Sequence, residues 1–345
     1  MAWIESHWER VTPVSALLYP LSLLFGAAVK ARRGLYTGGI ATSIRLPVPV
    51  IVIGNITVGG TGKTPLVLWL AAFLRARGLK PGIVCRGYGG RSRSPQRVAP
   101  ESDPLVVGDE AVLLARRGRC EVWAGADRVA AALALLAAQA PCEIVISDDG
   151  LQHYALARDL EICVVDGGRG FGNGWLLPAG PLREPWSRLA QVDAIVVNHD
   201  FRGEPHPTLA GLPDHIPRVN MRVEGREFRN LANPAQRVGP EHFRGKTVHA
   251  IAGIGNPQRF FSLLRLFGLE VATRAFPDHH SYTAADLAYA GTNAVLMTEK
   301  DAVKCQRFAR ESYWELAVDA MPGPALGVEV LRGLERKTNK QDPEK

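Results

Sequence analysis

The chain has 345 residues, 46% of them hydrophobic, so it can bury one large core or two medium cores. Its five cysteines lie far apart without a Cys-x-x-Cys pair, which argues against a disulfide framework or zinc site and is typical of reduced thiols in a cytosolic environment. The net charge of +7 favours an acidic partner. Because the basic residues do not form runs with interleaved aromatics, no nucleic acid is predicted, and the candidates are a phosphorylated substrate and anionic lipid.

The first element in chain order is an apolar segment. Residues 14–29 carry no charge, Trp3 and Trp8 precede them, and a basic cluster begins at Lys30. The run is slightly shorter than the roughly 20 residues that span a bilayer, and it lacks the flanks of a secretory signal. This pattern favours a helix lying in the headgroup region of an anionic membrane face. An ordinary helix docked on the protein core is the alternative.

Residues 48–65 are the most informative segment. An apolar β-branched run leads into a glycine-rich turn, which ends in Gly62-Lys63-Thr64 before an amphipathic helix. This order is typical of a phosphate cradle, in which backbone N–H groups and a helix N-terminus bind phosphate oxygens. Lys63 would neutralise the β- and γ-phosphates, and Thr64 would offer its hydroxyl to Mg²⁺. The predicted nucleotide-binding residues are Thr57, Val58, Gly59, Gly60, Thr61, Gly62, Lys63 and Thr64.

One position departs from the strict phosphate-loop pattern. Glycine is expected five residues before Gly62, and this chain has Thr57 there. The loop would then obtain its freedom at positive φ from Gly59 and Gly60. A glycine-rich loop that binds no nucleotide is the alternative interpretation.

The rest of the chain alternates between strands and helices. The apolar strands are continuous runs typical of burial on both faces, which predicts an α/β fold: a P-loop NTPase-like, doubly wound parallel sheet. Downstream of the loop we predict helices over 65–77, 110–117 and 128–140, and strands over 82–85, 121–124, 143–147, 161–165 and 194–198.

Three prolines in residues 206–217 predict a linker to a second, smaller α/β domain. The predicted domains are an N-terminal apolar helix with its membrane contact (1–45), a phosphate-loop core (46–205), the linker, the smaller domain (218–331) and a charged, disordered tail (332–345). In the smaller domain we predict strands over 218–229, 247–252, 270–276 and 294–298, and helices over 257–267 and 284–290.

Two adjacent carboxylates follow one apolar strand. The run 143–147 ends in Asp148 and Asp149, where a phosphate-loop protein carries the acid that holds magnesium. Two carboxylates side by side repel each other unless a cation or proton neutralises them. The sequence therefore predicts a metal site formed by Thr64, Asp148 and Asp149, and a solvated turn is the alternative.

Seven motifs in order resemble the tetraacyldisaccharide 4′-kinase (lipid A 4′-kinase) family, over nearly the whole chain. Threonine in place of glycine at position 57 is also typical of this family. The motifs are residues 57–65 (TVGGTGKTP), 86–90 (RGYGG), 108–110 (GDE), 148–153 (DDGLQH), 177–184 (LPAGPLRE), 276–279 (FPDH) and 298–304 (TEKDAVK).

The resemblance implies an enzyme that transfers the γ-phosphate of ATP to the 4′-hydroxyl of a tetraacylated glucosamine disaccharide 1-phosphate. It implies ATP and Mg²⁺ as cofactors. It also implies a peripheral or monotopic location on the cytoplasmic face of the bacterial inner membrane. No obligate protein partner is predicted.

The resemblance also implies two residues that act together on the attacking hydroxyl, at positions matching Asp109 and His279. In this interpretation Asp109 accepts the proton and His279 orients its carboxylate or tunes its pKa. His280 is an adjacent competitor for the partner role. From the sequence alone, Asp109 reads first as the N-cap of a helix beginning at Glu110.

Further residues are candidates for substrate contacts. Guanidinium groups match phosphate oxygens in geometry, whereas a glycine-flanked tyrosine is by default a mobile surface turn, and a histidine after a turn is often structural. Two of the candidates, Gln152 and Glu184, could instead belong to the magnesium shell. The candidates are Arg86, Tyr88, Gln152, His153, Arg183 and Glu184.

Two rival functions share parts of this pattern. A membrane-associated NTPase switch acting on a protein partner would use the same phosphate loop, but residues 298–301 carry Glu299 where a guanine-reading Asn-Lys-x-Asp motif requires Asn. A nonenzymatic lipid-binding module would leave the phosphate loop unused. The kinase function therefore ranks first.

Overall fold

The computed structural model describes residues 2–138, 142–199 and 206–341, which form an α/β fold around one large sheet. The strands are β1 (Val50–Gly54), β2 (Pro81–Cys85), β3 (Gln96–Arg97), β4 (Val122–Ala124), β5 (Ile144–Asp148), β6 (Leu160–Asp166), β7 (Ala194–His199), β8 (Arg218–Asn230), β9 (Arg237–Val238), β10 (Val248–Ala252), β11 (Val271–Ala275), β12 (Ala294–Thr298) and β13 (Tyr313–Pro322). The α-helices are α1 (Ala2–Glu5), α2 (Pro13–Thr37), α3 (Lys63–Arg75), α4 (Pro104–Val107), α5 (Asp109–Gly118), α6 (Arg128–Ala137), α7 (Pro257–Leu266), α8 (Glu299–Cys305) and α9 (Ala325–Gln341).

The sheet is mostly parallel and continuous, in the order β11-β10-β12-β13-β8-β7-β6-β1-β5-β2-β4-β3, with β9 paired to β8. Strand β1 lies between β5 and β6 and runs parallel to both. The antiparallel pair of β8 and β13 reverses the strand direction, so β13 and the three strands beyond it run opposite to β8. The predicted α/β fold with a parallel sheet is confirmed.

Burial on both faces explains why the strands are continuously apolar. All five residues of β1 are buried. Ile51 and Ile53 pack on one side with Leu66 and Leu70 of α3, and Val52 packs on the other side. Because alternate side chains of a strand point to opposite faces, a strand covered on both sides has no polar stripe. The same geometry places the carboxyl ends of β1 and β5 side by side.

The second half of the chain continues the same sheet. Strand β7 pairs with β8, which is the first strand after the predicted linker. Within that linker, Pro207–Gly211 form a 3₁₀ helix, and residues 200–205 lie outside the described part of the chain. We call residues 218–331 the C-terminal unit. Its division from the phosphate-loop core as a separate domain stays a prediction.

Two long elements were missed by the sequence prediction, and one predicted helix is of another type. Strand β13 and helix α9 were not predicted, and Ala284–Ala290 form a 3₁₀ helix rather than an α-helix. Helix α9 extends through residues 332–341, for which the charged composition predicted disorder. It can do so because Leu334 packs against the core. Residues 342–345 of the predicted tail lie outside the described residues.

Helix α2 presents its apolar side chains outward. Ser15 and Ser22 are buried, whereas Leu17 is 80% and Leu24 69% exposed. The Ser22 hydroxyl donates to the carbonyl oxygen of Leu176 at 2.7 Å. This polarity is the reverse of that of a surface helix docked on a core, which buries its apolar stripe.

The 25 residues of α2 are long and apolar enough to cross a membrane by length and composition, with a mean hydropathy of 1.6 over its most apolar window. Residues 14–29 alone are shorter than a bilayer span. The helix itself is not, because it continues through Pro20 to Thr37. The exposed apolar side and the helix length together suggest association with a membrane.

Candidate active site

The predicted phosphate loop connects the end of β1 to the start of α3. Gly62 precedes the helix with φ +92°, and Gly59 has φ +102°. Among the described residues, positive φ angles at non-glycine positions occur only at Arg119, Asp149 and His279, so Thr57 turns without one. The expectation for Gly59 is met, whereas Gly60 has no positive φ. Thr57 is compatible with the loop because this backbone position does not require glycine.

Neighbouring segments hold the phosphate loop in place. The backbone N–H of Val58 donates to the carbonyl of Pro181 at 2.8 Å. The side-chain amide of Asn198, at the end of β7, donates to the carbonyl of Thr61 at 2.9 Å. A Cβ on Gly62 would lie 2.4 Å from this amide nitrogen, so only glycine fits there. The loop therefore has a defined shape before any ligand binds.

Lys63 lies between two oxygen-bearing side chains. Its Nζ is 3.1 Å from Oδ1 of Asn55 and 3.5 Å from Oδ1 of Asp149. The other carboxylate oxygen of Asp149 accepts from Arg183 at 3.1 Å. Burial opposes ionisation of Asp149, but Lys63 and Arg183 outweigh it and hold its pKa at about 2. The structure thus brings together three predicted site residues as one charged cluster.

The pKa of Asp148 is shifted in the opposite direction to that of Asp149. Asp148 ends β5, is 4% exposed, and its Oδ1 makes no hydrogen bond to the described residues. Burial and the nearby charge of Glu110 raise the pKa of Asp148 to about 7, although Lys63 acts in the other direction. A buried carboxylate oxygen without a donor suits a cation, since a hard metal ion prefers oxygen ligands.

Asp109 and His279 meet across the two halves of the chain. His279 Nδ1 and Asp109 Oδ2 lie 3.2 Å apart. Asp109 is the first residue of α5 and its Oδ1 accepts from the N–H of Glu110 at 2.8 Å, while Gly108 occupies the N-cap position. The ring of His280 contacts Asp286 instead, with Nε2 3.4 Å from Oδ2. The predicted pair is therefore formed in space, and the competing histidine is not in it.

Cations surround this pair. Lys304 Nζ lies 3.6 Å from Asp109 Oδ2, and Lys300 Nζ lies 3.2 Å from His279 Nε2. Burial raises the pKa of Asp109, but its hydrogen bond with His279 and the charges of Lys300 and Lys304 outweigh burial and lower it. The ring of Tyr88 lies 4.6 Å from that of His279. Asp109 is thus an ionised carboxylate at neutral pH.

The C-terminal unit approaches the phosphate loop directly. A Cβ on Gly255 would lie 3.3 Å from the backbone nitrogen of Gly60 and 3.6 Å from Oδ2 of Asp278. A cavity of about 810 Å³ opens beside the pair and is lined by Tyr88, Asp109, His279 and Lys304 among others. This volume accommodates a sugar-sized ligand.

The remaining predicted residues have mainly supporting contacts. Gln152 donates to the carbonyl of Asn55 at 3.0 Å, and His153 Nε2 is 3.3 Å from the N–H of Arg128. Burial and Arg128 lower the pKa of His153 to about 4, so its ring is neutral. Glu184 is 1% exposed and accepts from Tyr154 at 2.5 Å. Arg86 is exposed, with its guanidinium 5.8 Å from the ring of Tyr88.

Sequence reasoning missed the residues that organise the loop from other strands. Asn198, at the end of β7, is a fully buried amide whose role depends on strand order. Asn55, the residue after β1, is also fully buried, but its side chain contacts Thr57, Gly59 and Lys63 within the loop itself. Arg169 lies over the phosphate loop, with Nη1 3.0 Å from the position of a Cβ on Gly59. Lys300 and Lys304 were detectable, because a spacing of four residues on α8 places both on one helix face.

A magnesium site fits the residues at the strand ends. No group of three or more His, Cys, Asp and Glu side chains arranged to hold a metal ion by themselves occurs in the described part of the chain. The buried, undonated oxygen of Asp148 nevertheless matches the usual situation in which one or two carboxylates bind Mg²⁺ and nucleotide phosphates and water complete its shell.

The sheet, the glycine turn with Lys63 and the acidic end of β5 define a phosphate-loop nucleotide-binding protein of the α/β class. A family model described as LpxK, tetraacyldisaccharide-1-P 4′-kinase, matches residues 14–334. The chain belongs to this family. The resemblance inferred from the seven motifs is therefore confirmed.

Individual relatives agree with the family match. The chain is 51% identical over 335 residues to the tetraacyldisaccharide 4′-kinase of Azoarcus sp. (strain BH72), covering 97% of this chain and 96% of that one. It is 50% identical to the protein of that name from Nitrosococcus oceani, covering 98% and 96%. A crystal structure of LpxK from Aquifex aeolicus, described as an apo form in complex with ATP, has a TM-score of 0.76 and 29% identity, covering 93% of this chain and 99% of that one.

The opposite pKa shifts of Asp148 and Asp149 predict opposite effects on stability. Since the pKa of Asp148 is raised to about 7, the folded protein holds a proton that the unfolded chain loses above about pH 4, and stability falls as pH rises through this window. Asp148→Asn should therefore be more stable than the wild type at pH 8 and should lose this pH dependence. Urea unfolding from pH 5 to 8, in buffer with a chelator, measures it.

Asp149→Asn is the matched variant. In the wild type, the depressed pKa of Asp149 contributes stability that is present above about pH 4 and lost as pH falls through about 2. This variant should be less stable than the wild type across the neutral range, because Lys63 and Arg183 lose their shared partner. Equal destabilisation by both variants at pH 8 would contradict the assignment of opposite charge environments.

Proposed function

We propose that this protein transfers the γ-phosphoryl group of ATP to the 4′-hydroxyl of a tetraacyldisaccharide 1-phosphate. The observation that carries this proposal is the contact of Asp109 with His279, whose neighbour Asp278 lies close to Gly255 at the phosphate loop. A sugar hydroxyl is a poor nucleophile at neutral pH, so transfer gains from a base positioned to take its proton. Membership of the family supports the acceptor and the reaction.

In this reaction the 4′-oxygen forms a bond to the γ-phosphorus while the bond from that phosphorus to the bridging oxygen of ADP breaks. The hydroxyl proton passes to Asp109 Oδ2, whose low pKa keeps it deprotonated before the reaction. Lys63 and the N–H groups of the phosphate loop bind the β- and γ-phosphates and offset the charge that develops on them. The ring of Tyr88, beside His279, would contact the sugar.

Thr64, Asp148 and Asp149 would hold magnesium in this proposal. When bound, Mg²⁺ supplies positive charge to the phosphate oxygens of ATP. The undonated oxygen of Asp148 supports this assignment. Arg183 would keep Asp149 oriented toward Lys63.

The assignment of the phosphate loop predicts that Lys63→Ala lowers turnover by about two to four orders of magnitude, because the cation that balances phosphate charge is removed. Lys80→Ala, at an exposed lysine before β2, is the control and should retain activity. Phosphate transfer from ATP to the purified disaccharide 1-phosphate lipid in detergent, followed by mass spectrometry, measures both. Wild-type turnover by Lys63→Ala would refute the assignment.

The pairing of Asp109 with His279 predicts non-additive kinetics. Asp109→Ala and His279→Ala should each lower kcat by about 10²- to 10⁴-fold with little change in ATP affinity. The double variant should be little worse than the worse single variant, since residues that act as a unit are not additive. His280→Ala, whose ring contacts Asp286 instead, is the control and should have a much smaller effect.

The outcome that rejects this pairing is multiplicative loss in the double variant. In that case Asp109 and His279 would act in separate steps. An effect of His280→Ala as large as that of His279→Ala would also reject the assignment of His279 as the partner.

We propose that α2 binds the cytoplasmic face of the inner membrane and brings the site to its lipid substrate. Its outward leucines would enter the apolar layer, and Lys30 and Arg32, both exposed, would meet anionic headgroups. ATP is the phosphoryl donor, and this supports the cytoplasmic face.

Membrane binding through α2 predicts that the triple variant Leu17→Ser, Leu21→Ser and Leu24→Ser loses binding to anionic vesicles. Each leucine buried in lipid contributes about 1.5–3 kcal/mol, so binding should fall by about a hundredfold or more. Leu133→Ser, at an exposed leucine of α6, is the control. Unchanged co-sedimentation of the triple variant would show that the outward face of α2 is not a membrane contact.

A further inference from the structure

Lys300 makes three contacts around the proposed catalytic pair. Its Nζ lies 3.1 Å from Glu110 Oε1, 3.2 Å from Asp278 Oδ1 and 3.2 Å from His279 Nε2. These partners come from the start of α5 and from the loop after β11, and the lysine itself is the second residue of α8. The side chain is 14% exposed. Lys300 therefore joins three separate parts of the chain at one nitrogen.

The charge on Lys300 is determined by its neighbours. Burial favours the neutral amine, but Glu110, Asp109 and Asp278 outweigh it and raise the pKa of Lys300. The side chain is consequently an ammonium group at neutral pH. An ammonium has three N–H donors and no acceptor, so a hydrogen bond at any of these three short contacts is donated by Lys300.

The hydrogen bond from Lys300 determines where the hydrogen of the neutral His279 ring lies. Since Lys300 donates to Nε2, that nitrogen is the acceptor of the ring. A neutral imidazole has one donor and one acceptor, so its hydrogen is on Nδ1 and is donated to Asp109 Oδ2. An imidazolium would place a second N–H against the ammonium at 3.2 Å, which the positive charge of Lys300 disfavours, whereas Asp278 Oδ2, 3.8 Å from the same nitrogen, lies beyond hydrogen-bond distance.

We infer that Lys300 is a positioning residue that holds His279 as the neutral Nδ1–H tautomer, so that Asp109 remains the anion that receives the hydroxyl proton. The inference rests on the proposed function of the Asp109–His279 pair. His279 then orients the carboxylate by donating to Oδ2 and does not itself take the proton. Lys304 acts differently, because it lies near Asp109 and makes no contact with Nε2 of His279 in the described structure.

Nitrogen-15 NMR of histidine-labelled protein tests the tautomer without ATP or acceptor. In the wild type at neutral pH, Nδ1 of His279 should be of the protonated type and Nε2 of the unprotonated type, with His279→Gln used for assignment. Protonated-type Nε2 with unprotonated-type Nδ1 overturns the inference, and so does a ring protonated on both nitrogens.

Two lysine variants separate positioning from general loss of charge. Lys300→Met removes the donor to Nε2, so His279 should show mixed tautomers or protonation of both nitrogens, and kcat should fall about 10- to 100-fold, part of the contribution of a positioned base. Lys304→Met removes a comparable cation beside Asp109 and should leave the wild-type tautomer. Lys300→Arg keeps a cationic donor and should partly restore both readouts. A wild-type tautomer in Lys300→Met overturns the inference.

The pH profile of kcat provides an independent readout. The charged groups that face Asp109 are His279, Lys300 and Lys304, and those that face Lys300 are Glu110, Asp109, Asp278 and His279. Lys300 lowers the pKa of Asp109, so its removal should move the acidic limb of kcat to higher pH. An unmoved limb contradicts the inference.

Failure of the proposed function gives a different result from failure of this inference. If Asp109→Ala retains full turnover, Asp109 is not the base, yet the tautomer measured on the resting protein still reports whether Lys300 controls His279. If Asp109→Ala is inactive while Lys300→Met keeps the wild-type tautomer and pH profile, the proposed base stands and the positioning role of Lys300 is rejected.

Discussion

The ionic contact between the start of α5 and α8 is the interaction on which the site depends. Lys300 binds Glu110, and Arg117 at the far end of α5 binds both Glu299 and Asp319. Lys300, Arg117 and Glu299 are largely removed from water, so leaving one of them without its partner is costly, whereas Glu110 and Asp319 are more exposed. The contact joins the phosphate-loop half of the chain to the C-terminal unit. It therefore also sets the distance between Asp109, at the first residue of α5, and the loop that carries His279.

The two ends of the site are built on different electrostatic arrangements. At the phosphate loop, Lys63, Asp149 and Arg183 alternate in sign, which keeps Asp149 ionised and leaves Asp148 as the buried, undonated carboxylate. Around the proposed base, Lys304 lies near the Asp109 carboxylate and Lys300 near the His279 ring. Glu110 connects these regions, because it raises the pKa of Asp148 and also binds Lys300.

Helix α2 adds a constraint from outside the nucleotide site. Its serines face the protein and its leucines face outward, so water is an unfavourable surrounding for the exposed side. The helix is attached through the segment after β6, where Ser22 bonds to Leu176 and the ring of Tyr19 lies 4.5 Å from that of Trp175. The same segment continues to Pro181 and Arg183, which contact the phosphate loop and Asp149. The outward-facing helix α2 and the phosphate site are therefore linked by about ten residues of one chain segment.

The sequence by itself determined the local features: the strand, glycine turn and lysine of the phosphate loop, the acidic end of β5, and the parallel sheet implied by its buried apolar runs. These follow from short-range periodicity and turn chemistry, which act within a few residues. Only the tertiary structure decided that His279 and not His280 contacts Asp109, that Asn198 holds Thr61, and that Lys300 reaches both Glu110 and His279. The partners in these contacts lie far apart in the chain. Their meeting depends on strand order and helix packing, and no local pattern encodes either.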